Sequence, residues 1–134
     1  METVNNEYYV SPEVANLLEK AGFDWRCRKC YNKGVLFDME PDEIRAQVPQ
    51  HSSYDVLAPT LEVAQRWLRE VKNLSVDISS TRYSEWEYII RKINQANHND
   101  NTIFALTACR FYTYEEAKEA GIKKALEIIL EEGE

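Results

Sequence analysis

Thr60-Leu-Glu-Val-Ala-Gln-Arg-Trp-Leu-Arg-Glu-Val-Lys-Asn-Leu-Ser-Val-Asp-Ile-Ser-Ser80 changes its hydrophobic period midway. Up to Val71 the apolar residues Leu61, Ala64, Trp67, Leu68 and Val71 recur at the three- and four-residue spacing of one helix face. Thr60, directly after Pro59, is a helix N-cap whose hydroxyl accepts from an amide that the first turn leaves unpaired. Glu62, Arg66, Arg69 and Glu70 fall on the wet side, with Glu62 and Arg66 at the spacing of a favourable pair. Asn73 marks the end of the helix. From there Leu74, Val76 and Ile78 alternate with Ser75, Asp77 and Ser79, the pattern of a strand covered on one face. A helix that hands over directly to a half-buried strand predicts an α+β fold.

Further along, Ser80 to Ser84 reads as a turn. Ser84 to Ile93 fits two patterns: Trp86, Tyr88 and Ile90 alternate as in a strand, whereas Trp86, Ile89, Ile90 and Ile93 fit a helix capped by Ser84 and Glu87. The aromatic and β-branched content favours the strand. A polar loop, Asn94 to Asn101, separates it from a third alternating stretch, Ile103 to Tyr112. Thr113 and Glu116 then form a capping box, and Ala117, Gly121, Ile122, Ala125, Ile128 and Ile129 give the last helix a broad apolar face. Its small residues suit a close approach to a sheet. Lys118 interrupts that face and is expected to reach solvent by its stem.

The part before Thr60 is less regular. Tyr8 to Val10 suits a short strand, and Ser11-Pro12 starts a helix bearing Val14, Leu17, Leu18 and Ala21, with Gly22 as its stop. Residues 23–58 hold the pair Cys27 and Cys30, a strand at Val35 to Phe37, a helical turn at Pro41 to Ile44, and loop residues from Pro49 to Asp55. The expectation is a single α+β domain over residues 1–134. Residues 1–59 form its less regular part and residues 60–130 a helix-strand-strand-strand-helix core. A small, mainly antiparallel sheet of three or four strands carries two or three helices.

A chain of 134 residues with 44% hydrophobic residues can bury a core without disulfide or metal support. Its net charge of −7 is the wrong sign for a polyanion binder. Residues 60–114 are the exception, with seven basic and six acidic groups, net +1. Three cysteines, no basic and apolar leader at Met1 to Glu7, and no apolar run of membrane-spanning length point to a reducing, cytoplasmic setting.

Tyr9-Val-Ser11, Cys27-Arg-Lys-Cys30-Tyr31, Ala58-Pro-Thr60, Trp67-Leu-Arg-Glu-Val71, Trp86-Glu-Tyr88 and Tyr114-Glu-Glu-Ala-Lys-Glu-Ala-Gly121 together resemble a group of small uncharacterised proteins of phage-like and mobile regions in gut-bacterial genomes. The resemblance spans most of the chain and implies a genomic context, without any site residue. It also favours the strand at Trp86. Separately, the helix-strand-strand-strand-helix order of residues 60–130 is similar to a double-stranded-RNA-binding domain. That family meets phosphates with basic residues at the start of its last helix, where this chain has Glu115, Glu116 and Glu119.

Chemistry offers few candidates. Cys27 and Cys30 make one zinc knuckle, half of a tetrahedral site, and only Cys109, His51 and His98 remain to complete it. A redox pair would need a lowered thiol pKa, which Arg26, Arg28 and Lys29 would favour. His51 and His98 sit in polar loops, and the carboxylates around Asp38, Glu40, Asp42 and Glu43 read as solvated neighbours of a turn. No residue is assigned as catalytic, cofactor-binding or metal-ligating, and no cofactor is expected. Plain packing accounts for most of the aromatics, whereas an exposed cluster such as Tyr8, Tyr9, Tyr112 and Tyr114 would mark a protein contact surface; the sequence does not decide between the two. The leading expectation is therefore a non-catalytic accessory or binding protein of a phage-like element, with a protein partner or self-association. The alternatives are a nucleic-acid-binding module using residues 60–114, and a zinc-stabilised structural module.

Overall fold

Local signals place the helices. In the computed structural model, which describes residues 8–38, 55–81, 83–93, 102–106 and 110–132, Pro12–Lys20 is helix α1. Ser11 caps it, its side chain accepting from the Val14 amide, and Gly22 follows at φ 98°. Leu61–Val71 is α2, with the Thr60 hydroxyl accepting from the Val63 amide. Asn73 leaves it at φ 58°, in the left-handed region that suits asparagine at a helix end. Tyr114–Glu132 is α3, started by reciprocal bonds: the Thr113 amide donates to Glu116 Oε1, and the Glu116 amide to Thr113 Oγ1.

Six strands form two antiparallel sheets among the described residues. Lys29–Asn32 (β1) is the centre of one, between Val35–Asp38 (β2) and Asp55–Leu57 (β3). β1 and β2 are joined by Lys33-Gly34 at φ 53° and 82°, the two positive angles that a two-residue hairpin turn requires. Leu74–Ser80 (β4), Trp86–Lys92 (β5) and Thr102–Leu106 (β6) form the other sheet in sequence order. Its register pairs Val76 with Ile90 and Ile78 with Tyr88, so the apolar parities of β4 and β5 share one face. Ser75, Asp77 and Arg91 share the other, where Arg91 Nη1 lies 2.6 Å from Asp77 Oδ2.

The helices cover only the apolar face. α2 lies on β4, and the Gln65 side chain donates to the Val76 carbonyl. α3 crosses β4 and β5 so closely that a Cβ on Gly121 would meet Val76 Cγ1 at 2.7 Å and Tyr88 Cβ at 3.0 Å. Trp67, Leu68, Val76, Ile90, Ile122 and Leu126 are fully buried there. Val10, Val14 and Leu18 join the same core, so α1 and the entering chain belong to one hydrophobic cluster with α2 and α3.

The α+β class and the α2-β4-β5-β6-α3 order agree with the reading of the sequence. Residues 86–92 are strand, because β5 has partners on both edges. The expected single sheet is divided into two. Of the strand expected from Ile103 to Tyr112, Thr102–Leu106 is strand, residues 107–109 lie outside the described residues, and Phe111 forms an isolated bridge to Trp86. Tyr8 to Val10 likewise gives only a bridge, Tyr9 to Thr60. Asp55, expected in a loop, opens β3. The helical turn at 41–44, the loop residues 49–54 and the polar loop at 94–101 lie outside the described residues. Glu62 pairs with Lys118 rather than Arg66, which pairs with Glu70.

Candidate functional site

Three pieces of chain converge at the N-terminal end of α3. The first is the entering segment, stitched to α2 by the Leu61 amide donating to the Tyr8 carbonyl at 2.8 Å and the Val10 amide to the Pro59 carbonyl at 3.0 Å. The Tyr31 hydroxyl donates to the Val10 carbonyl at 2.6 Å. Burial and then the Glu119 carboxylate push that phenol above its ordinary pKa, so it stays a donor. The second piece is Arg110 to Thr113, held by mutual amide–carbonyl bonds between Phe111 and Trp86. The third is the first turns of α3, tied back by Glu119 Oε2, which accepts from the Ser11 amide, and by Lys123, 3.0 Å from Glu13.

Between them lies a groove of about 720 Å³. Tyr8, Tyr9, Phe111 and Tyr112 supply its aromatic lining, while Leu61 and Ala120 add aliphatic surface. Tyr8 is 53% and Tyr112 82% exposed. Glu115, Glu116 and Glu119 contribute carboxylates to the same lining. Three of the four tyrosines singled out in the sequence therefore meet. Tyr114 does not: its ring stands edge-on to Trp86 at 5.4 Å and under the Lys118 ammonium. Phe111 was missed, although its position beside Tyr112 and ahead of a capping box was a legible signal.

Lys118 does not reach solvent. It is 2% exposed, with Nζ 3.0 Å from Glu62 Oε2 and 3.3 Å from the Tyr114 hydroxyl. The cation bridges α3 to the start of α2, satisfied by one carboxylate, one hydroxyl and one ring face.

Cys27 is buried ahead of β1, its thiol donating to the Trp25 carbonyl, and Cys30 lies half-buried within β1. Burial first, then the neighbouring Cys30, pushes the Cys27 thiol up to about 12. Arg26 and Arg28 are exposed and Lys29 pairs with Asp38, so the basic neighbours do not stabilise a thiolate. Cys109, His51 and His98 lie outside the described residues. Among the described residues no three His, Cys, Asp or Glu side chains come together as a metal site. No helix among them is long and apolar enough to cross a membrane.

Among the described residues of 60–114, four basic groups are engaged within the fold. Arg66 meets Glu70 and the Trp25 ring, Arg91 meets Asp77, Arg110 meets Glu87, and Lys72 lies over Trp67. No family model, curated protein or solved structure matches the chain.

Proposed function

We propose that this chain is a non-catalytic accessory or binding protein that acts through protein contacts, with the groove beside Tyr8 and Tyr112 as its contact surface. The observation that carries this reading is the exposure of two large aromatic rings within one groove. Tyrosine presents wide contact area and a polar tip at low entropic cost, which is why it dominates binding surfaces. The two groups with the most reactive potential support a non-catalytic role. Cys27 stays protonated at neutral pH, and the buried Lys118 ammonium is paired with Glu62. The resemblance of the Cys27 to Tyr31, Trp67 to Val71 and Tyr114 to Gly121 motifs to small phage-region proteins supports an accessory role in such an element.

Nucleic-acid binding by residues 60–114 ranks second, since Arg66, Lys72, Arg91 and Arg110, four of the cations it would need, already face carboxylates or rings. A displayed random-peptide library selected on the wild-type protein and on a Tyr8→Ser/Tyr112→Ser variant tests the leading proposal. Enriched peptides should bind the wild type and lose at least about tenfold in affinity on the variant, whose melting curve should be unchanged. No enrichment, or equal binding to both proteins, would refute the groove as a contact surface.

A further inference from the structure

The charges around the groove say what kind of partner would fit. Two cations and three carboxylates line it. Arg110 Nε lies 3.8 Å from Glu87, and Lys123 Nζ lies 3.0 Å from Glu13, both carboxylates outside the lining. Lys123 feels Glu119 more weakly than Glu13. Glu115, Glu116 and Glu119 therefore set the sign of the field in the opening. Glu116 and Glu119 each accept an amide hydrogen bond, which fixes the carboxylate and leaves its charge in place. Glu115 and Glu116 lie in the first turn of α3 and offset the positive end of the helix dipole, which weakens its pull on an anionic group.

The aromatic lining points the same way. The faces of tyrosine and phenylalanine rings are negative and attract ammonium and guanidinium groups. The fold already uses this attraction on these residue types: Lys29 Nζ lies 5.5 Å from the centre of the Tyr9 ring, and Lys118 Nζ 5.0 Å from that of Tyr114. Leu61 and Ala120 meanwhile leave room for an apolar side chain.

Building on the protein-contact reading, we infer that the groove receives a basic segment of a partner protein, with lysine or arginine side chains against the tyrosine rings and glutamates and an apolar side chain between them. A second copy of this chain fits less well, since it brings a further net charge of −7.

Fluorescence anisotropy with labelled peptides of alternating lysine and leucine, glutamine and leucine, or glutamate and leucine tests this. The lysine peptide should bind the wild type at least about tenfold more tightly than the glutamine peptide and weaken as salt is added. Glu115→Lys should reduce its affinity by about tenfold at low salt, and Tyr8→Ser/Tyr112→Ser by at least as much. If glutamine and lysine peptides bind alike and both depend on the tyrosines, the basic partner is refuted and the protein-contact reading survives. Tighter binding of the glutamate peptide would also refute it. Lysine-peptide binding that ignores the tyrosine changes would trace the attraction to the overall charge and overturn the inference.

Discussion

The two sheets have the same number of strands and the same antiparallel pairing, and they are covered unequally. In β4-β5-β6, Leu74, Val76 and Ile90 are buried because α2 and α3 lie across that face. In β2-β1-β3, the outer strand β2 leaves Val35 53% and Phe37 51% exposed. A run of apolar residues is thus no guide to burial by itself. Alternation with polar residues is the better one, because it records that one face of the strand is covered and the other wet.

That contrast can be broken by substitution. Ile90→Ala should cost about 2–5 kcal/mol in urea unfolding, since the fully buried side chain leaves a cavity. Phe37→Ala should cost well under that; equal losses at the two sites would abolish the distinction between the sheets. Gly121→Ala comes next, at about 1–3 kcal/mol, because the new methyl meets Val76 at 2.7 Å and overpacking outweighs the gain in helix propensity. An unchanged midpoint would mean that α3 does not lie so close to the sheet. Thr60→Ala should cost about 1 kcal/mol by removing the cap of α2, and Thr60→Ser should restore most of it.

The smallest effect at neutral pH belongs to Cys27, just ahead of β1. The unfolded thiol ionises near 9.0, whereas the folded one holds its proton until about 12. Above 9.0 the unfolded state therefore binds fewer protons than the folded state, and stability falls as pH rises. Cys27→Ala should flatten that fall without altering the pH dependence below 9.0, which unfolding midpoints on either side of that pH would reveal. An equal slope in the variant would show that the thiol is not sheltered.

Legibility followed the range of the interactions. Ser11, Thr60 and the Thr113–Glu116 box act within one turn, so their helices could be read from neighbours a few residues apart. The groove was half legible. Tyr8, Tyr9 and Tyr112 could be named as surface candidates, but only the tertiary packing decides that they line one groove and that Tyr114 turns to Trp86 instead.

The amino-acid order alone determined the three helices, the alternation of β4 and the small-residue stripe that lets α3 lie against a sheet, because each depends on spacing along the chain. Tertiary structure decided that Trp86–Lys92 is a strand, that Asp55–Leu57 joins β1, that Lys118 is buried against Glu62, and that glutamates and tyrosines from distant segments share one groove. Those outcomes depend on partners outside the local stretch, whose pairing and burial energies override the weak preferences of a few neighbouring residues.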